Sequence, residues 1–170
     1  MDGTTAANPT HATILNGVRW MAPRDRDFVL FRIGMRFNGL RGIGTALQAF
    51  NAMPPMLREL GEHPALGLLH SELGLSWPAV TLTQYWNSFE ELERYAADAA
   101  REHQPKWAWY ARLGPRARSA GIFHETYRIV RGSYEAIYVN MPPHGLALAF
   151  GGPSEIVDAR NNTARRRMAS

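Results

Sequence analysis

The stretch from Gly121 to Gly145, GIFHETYRIVRGSYEAIYVNMPPHG, concentrates side chains that can move protons. His124, Glu125 and Thr126 stand in a row among apolar neighbours. Read as a strand, His124, Thr126 and Arg128 share one face, and Phe123, Glu125, Tyr127 and Ile129 share the other. Burying a histidine and an acid in a small domain costs free energy unless they are paired or line a cleft. The competing reading is a half-exposed strand with a solvated polar face.

Arg32 and Gln84 are the expected companions of His124. They lie on apolar stretches that read as strands flanking the GIFHETY strand. Strand alternation lets all three rise from one face, the cation lowering the proton affinity of the imidazole so that it accepts a proton near neutral pH. The guanidinium would stabilise an oxyanion. Glu125 would point the other way and pair with an arginine beneath the sheet.

The elements that must position these groups are legible in order. Asp27–Phe37 alternates Val29, Phe31, Ile33 and Met35 with Leu30, Arg32, Gly34 and Arg36, a strand with one apolar face. Gly34 leaves room above the sheet, for a bulge or a close approach. Residues 44–61 read as a helix broken at Pro54-Pro55, with Met56, Leu57 and Leu60 inward and Gly61 as the stop. Residues 66–72 and 79–86 read as a hairpin closed by a loop containing Gly74. Ser88 and Glu91 form a capping box, and the helix after them has its apolar stripe at Phe89, Leu92, Ala96 and Ala99. Continuing that series reaches His103, which the periodicity places on the inward face. Residues 114–121 read as a basic loop that leads into the GIFHETY strand, and 133–141 as a last strand.

The βαββαβ order is that of a ferredoxin-like α+β fold, an antiparallel sheet with both helices on one face. The other face, bearing Arg32 and Arg36, then needs a cover, and a second subunit is the expected one. Residues 1–15 read as a disordered segment, 16–152 as one domain and 153–170 as a flexible Arg-rich tail.

Composition bounds the chemistry. The 170 residues contain no cysteine, which removes disulfides, thiolate metal sites and cysteine nucleophiles. The net charge of +4 suggests nucleic acid, but Arg160, Arg165, Arg166 and Arg167 sit in the tail. Removing these four with Glu155 and Asp158 leaves 15 basic against 13 acidic residues, and the body has no basic stripe interleaved with aromatics. No apolar run reaches membrane-spanning length and no signal-peptide core opens the chain, so neither nucleic acid nor membrane is expected and the default location is cytoplasmic.

The strings MRFN at Met35–Asn38, AMPPML at Ala52–Leu57, QYWNSFEELERYA at Gln84–Ala96, HQPKW at His103–Trp107, HETY at His124–Tyr127 and YEAIYVNMPPHGL at Tyr134–Leu146 carry a resemblance, in order and spacing, to one family. The chain resembles the DUF4188 family, labelled a monooxygenase family, of the dimeric α+β barrel group. The resemblance implies a homodimer whose sheets face each other across a barrel, with pockets between sheet and helices, and a small hydrophobic or aromatic metabolite as substrate. Relatives in the wider group include cofactor-free monooxygenases, polyketide cyclases, haem-degrading enzymes, chlorite dismutases and haem-dependent aldoxime dehydratases. In haem-degrading members the axial histidine lies near the end of the second long helix, where this sequence holds His103.

Triplet dioxygen reacts slowly with closed-shell organics, so an oxygenase needs a cofactor or a substrate that forms a stabilised carbanion. No GxGxxG signature is present. Haem, with His103 as axial ligand and His124 as runner-up, and a cofactor-free route are the two expectations. His70 and His144 flank turns and rank lower. A cofactor-free isomerase or cyclase, a dehydratase, and a non-catalytic carrier of haem or a hydrophobic ligand are the alternatives.

Overall fold

The computed structural model describes residues 17, 19–22, 25–39, 53–98, 120–152 and 155–156. Its centre is the strand β2, Phe28–Phe37, with β1 (Arg19–Met21) preceding it. The helix α1 (Met53–Glu62) and a 3-10 turn (Pro64–Leu66) lead into β3 (Leu68–Ser76) and β4 (Ala79–Trp86). The helix α2 (Phe89–Ala97), β5 (Ala120–Ile129), β6 (Ile137–Val139), the short helix α3 (Leu146–Ala149) and β7 (Glu155–Ile156) follow.

The four-stranded antiparallel sheet has the order β3-β4-β2-β5, so the first and third strands of the βαββαβ unit sit in the middle. This is the ferredoxin-like α+β fold expected from the element order.

One face of the sheet carries the core. Val29, Trp86, Leu60, Leu92 and Tyr95 form a buried cluster against which Phe31, Leu66, Leu68 and Phe89 pack. Val29 and Trp86 are opposite each other in the β2–β4 ladder, while Leu60 comes from α1 and Leu92 and Tyr95 from α2. Both helices therefore lie on the face bearing Val29, Phe31, Ile33 and Met35. Fully burying each large apolar side chain contributes about 1.5–3 kcal/mol. Leu60 occupies its expected inward place; the side chains of Met56 and Leu57 lie outside the described residues, as do residues 44–52.

Four details differ from the reading of the sequence. The first helix runs through Gly61 to Glu62, because Pro64 rather than the glycine ends it. The hairpin turns at Trp77-Pro78 instead of at Gly74, which stays inside β3 opposite Thr81. The helix α2 ends at Ala97, where Asp98 caps it in an extended conformation. Its Ser88 cap is as expected, the hydroxyl accepting from the Glu91 amide at 3.2 Å. The expected continuation of the apolar series to Ala99 and His103 lies outside the described residues.

The fourth difference is a second sheet, ordered β6-β1-β7. Of the stretch 133–141 only Ile137–Val139 pairs, and it pairs with β1 rather than with the main sheet. Glu155 and Ile156, in the segment read as tail, pair with Met21 and Trp20. Trp20 stacks on Tyr138 at 4.2 Å between ring centroids and is buried with Ala22 and Ala147. The Tyr134 hydroxyl donates to the Ala22 carbonyl, and the Arg131 amide donates to Asp27 Oδ1 at 2.8 Å. Phe28 meets Tyr134 and Phe150 edge-on, which joins this small layer to the start of β2 on the face opposite the helices.

The room above Gly34 is filled. Both ladders of β2 run through it without a bulge. A Cβ there would lie 2.5 Å from two ring atoms of Phe123 and 2.7 Å from the Val80 carbonyl oxygen. Gly34→Ala should therefore destabilise the protein by about 1–3 kcal/mol, the usual cost of overpacking. Urea denaturation checks it, and relief of the loss by a second change, Phe123→Leu, would identify the ring as the clash.

Candidate functional site

Register decides which side chains meet. Arg32 lies opposite Glu125 in the β2–β5 ladder and opposite Thr83 in the β2–β4 ladder, and Thr83 lies opposite Glu72. Directly opposed residues share a face. Glu72, Thr83, Arg32 and Glu125 thus form one polar row across all four strands, on the face away from α1 and α2. The next row on this face is His70, Tyr85, Leu30 and Tyr127.

His124 lies opposite Ile33, and Gln84 opposite Phe31, so both belong to the helix-side face. The expected grouping of Arg32 with His124 and Gln84 does not form. Arg32 alternates onto the other side of β2, and the ladder leaves no register in which it joins them. Arg32 Nη1 instead donates to Glu125 Oε2 at 2.8 Å, and the Tyr127 hydroxyl donates to the same oxygen at 3.0 Å. Glu125 does pair with an arginine, and that arginine is Arg32. With the two side chains 40% and 43% exposed, the pair contributes under about 1 kcal/mol.

On the helix-side face His124 is exposed and meets the Phe31 ring at 6.0 Å between centroids. Gln84 is buried, and its Oε1 accepts from Trp86 Nε1 at 3.0 Å. That bond satisfies the one polar atom of the largest side chain in this core, which gives Gln84 a positioning role there.

The opposite face holds a cluster that sequence reasoning missed. The Tyr85 hydroxyl donates to Glu72 Oε1 at 3.4 Å. Glu72 Oε2 lies 3.4 Å from His144 Nε2, which arrives from the loop before α3. The His70 ring stacks nearly parallel on Tyr85. The Tyr138 hydroxyl accepts from the Ala147 amide and fixes α3 above these groups. Gly145 adopts φ +55°, and a Cβ on it would stand 3.0 Å from the Tyr85 hydroxyl and 3.4 Å from Glu72 Oε1. The HSE string of β3 already placed His70 and Glu72 on one face at spacing two; their meeting with Tyr85 and His144 is tertiary.

Electrostatics make this cluster a set of neutral donors and acceptors around one acid. Burial pushes the Tyr85 phenol well above its usual range, and the charge of Glu72 adds to it. Tyr138 is raised for the same first reason. Burial pushes His70 down, against an opposing pull from Glu72, with His144 adding to the fall. Tyr85 therefore stays a hydrogen-bond donor and His70 a neutral imidazole at pH 7. Among the described residues, no three His, Asp or Glu side chains stand together as a metal ion would require, and no helix is long and apolar enough to cross a membrane.

The shifts set the pH dependence of stability. A folded-state pKa of His70 below 6.5 means that the unfolded chain takes up the proton first, so stability falls as pH drops below 6.5. A folded-state pKa of Tyr85 above 10.0 means that the unfolded chain loses its proton first, so stability falls as pH rises past 10.0. Urea midpoints across pH should be shallower on the alkaline side in Tyr85→Phe and on the acid side in His70→Asn.

The comparisons agree with this architecture. The chain is similar to aldoxime dehydratase OxdRE solved with butyraldoxime, at 16% identity and a TM-score of 0.57, covering 84% of this chain and 43% of that one. A second aldoxime dehydratase structure matches at 17% identity and a TM-score of 0.57, covering 82% and 41%. The chain thus spans less than half the length of these dehydratases, and at such identities the likeness concerns the fold alone. The cofactor-independent oxygenase SnoaB from Streptomyces nogalater is more distant, at 12% identity and a TM-score of 0.41 over 59% of this chain and 91% of that one. No curated protein matches the chain. The family model described as monooxygenase af470-like matches residues 28–146, from the first residue of β2 to the first of α3 and well over half of the sequence, and the chain belongs to that family.

Proposed function

We propose that this protein is a small monooxygenase-like oxidoreductase that acts on a small hydrophobic or aromatic metabolite and works as a homodimer in the cytoplasm. The observation that carries the reading is the family match, which takes in the whole four-stranded sheet and both helices packed on it. The four strands of the main sheet, whose side chains make up the two candidate faces, fall inside the matched range.

His124 is the working group on the helix-side face. It stands among Phe31, Ile33 and Ile122, an apolar wall with one imidazole. That arrangement fits haem, whose axial bond needs one histidine and whose ring needs apolar surroundings. Haem would supply the one-electron chemistry that dioxygen requires. His103, the first choice from the sequence, lies outside the described residues, and His124 is the second imidazole to hold it. Without haem, the same imidazole accepts a proton from substrate. Gln84 holds the Trp86 wall beside it, and Arg32 serves the opposite face with Glu125.

A cofactor-free isomerase or cyclase is the second reading. The cluster of His70, Glu72 and Tyr85 favours it, because it offers an acceptor and a donor for proton transfer with no redox group.

An absorption spectrum of the freshly purified protein, with an oxygen electrode, separates these readings. A Soret band that His103→Ala abolishes assigns haem to His103, and one that survives that change but not His124→Ala assigns it to His124. A colourless protein that consumes dioxygen with an aromatic substrate assigns the cofactor-free oxygenase, and His124→Gln should then slow turnover by about a hundredfold. A colourless protein that rearranges its substrate without dioxygen overturns the oxidoreductase.

The homodimer is proposed to form through the sheet face bearing Arg32 and Arg36, where Leu30, Tyr127 and Phe123 accompany the polar row. Sedimentation at micromolar concentration should give twice the mass of one chain. A single-chain mass would remove this part of the reading.

A further inference from the structure

Residues 142–150, which carry α3, lie against β3 and are tied down at neighbouring points. The Ala147 amide donates to the Tyr138 hydroxyl at 3.2 Å. Gly145, at φ +55°, sits so close that a Cβ on it would stand 3.0 Å from the Tyr85 hydroxyl. Beside it, His144 Nε2 lies 3.4 Å from Glu72 Oε2. That oxygen is closed off from water and has no hydrogen-bond partner among the described residues. Glu91 Oε2 is sealed in the same way, so the feature that matters at Glu72 is the adjacent imidazole. We infer that His144 and Glu72 form a proton-operated latch, which fastens residues 142–150 to β3 when the imidazole is protonated and loosens them when it is neutral.

A neutral imidazole carries one ring proton, which can sit on either nitrogen; a protonated one carries both and must present an N–H at Nε2. Protonation therefore gives the sealed carboxylate oxygen the donor it lacks and adds the attraction of opposite charges. The two histidines beside Glu72 have unequal access to that proton. The His144 side chain is 59% exposed and takes it from solvent. His70 is stacked on Tyr85, and burial holds its proton affinity down, with His144 adding to the fall. The other groups that face the pair keep their state across neutral pH. Tyr85 of β4 and Tyr138 of β6 stay protonated because burial raises both phenols. Arg32, in the same row as Glu72, is bonded to Glu125. Arg19 of β1 lies on the other face of the small sheet, opposite Val139, while Trp20 is opposite Tyr138. The sign follows from linkage. The fastened form binds the proton more tightly than the loosened one, so the hold is fully present below the ordinary histidine pKa of about 6.5 and is lost as pH rises above it. This local tightening runs against the effect of His70, which weakens the whole sheet in acid.

Amide hydrogen exchange on the full chain reads the latch, with each rate divided by the intrinsic rate at the same pH. The Ala149 and Phe150 amides, which donate to the Gly145 and Leu146 carbonyls, report the segment. Amides of α2 serve as the reference that removes the effect of His70 on the whole sheet. Relative to α2, protection of the segment should rise about fivefold between about pH 8 and about pH 5.5. His144→Gln, a change at an exposed position, should remove the rise, and so should Glu72→Gln. His144→Lys keeps a cation at that position throughout and should hold the segment protected at both ends of the range. The two His144 variants keep the test valid if Glu72→Gln does not fold. His70→Asn should leave the rise in place. Wild-type protection that does not change with pH, or a rise that survives His144→Gln, overturns the proposal. A rise that disappears in His70→Asn with His144 intact also overturns it, by moving the switch to the other histidine.

Discussion

The structure depends on the register of β2 between β4 and β5. Strand side chains alternate with period two, so a slip of one residue would carry Val29, Phe31, Ile33 and Met35 to the far face and bring Arg32 under the helices. What fixes the register is apolar burial. Trp86 is fully buried opposite Val29, and α1 and α2 close over the pair with Leu60, Leu92 and Tyr95. Several such side chains at about 1.5–3 kcal/mol each outweigh any surface ion pair at under about 1 kcal/mol. The Arg32–Glu125 bond is a consequence of that register and does not set it.

Once the register is set, the two faces have different chemistry. Among the described residues, the helix side is an apolar wall in which one imidazole, His124, stands on the edge strand β5. The opposite side carries the polar row of Glu72, Thr83, Arg32 and Glu125 among aromatic and apolar neighbours, capped at one end by the small sheet of β1, β6 and β7 and by α3. The cap is held by aromatic contacts, Trp20 on Tyr138 and Phe28 against Tyr134 and Phe150, so it can cover polar groups without sharing the main core. His144 rides on this cap and Glu72 on the sheet beneath it. The same fold thus sets apolar side chains on one face and paired polar groups on the other.

Gln84 shows how a residue can be misjudged from its type. A buried amide on a central strand invites a catalytic role, but here its oxygen takes the indole N–H of Trp86 two residues on. Burying that indole without an acceptor would cost about 1–3 kcal/mol. The amide therefore offsets the cost of burying the indole N–H of the largest side chain in the helix-side core.

The sequence by itself determined the βαββαβ order, the apolar face of β2, the β4 span and the Ser88 cap, because each rests on periodicity or on contacts within a few residues. It also determined membership: motifs spread over most of the chain point to one family, and the family match agrees. Tertiary structure alone decided who meets whom across strands. Nothing in the order of residues says that Arg32 faces Glu125 rather than His124, since the choice turns on a one-residue register that only packing fixes. The second sheet escaped for a related reason, since β1, β6 and β7 are two or three residues long and too short for alternation to show. The cluster of Glu72, Tyr85 and His144 is the extreme case. Its members come from two strands and a distant loop, and what makes Glu72 unusual, a carboxylate oxygen sealed from water, exists only after the chain has closed over it.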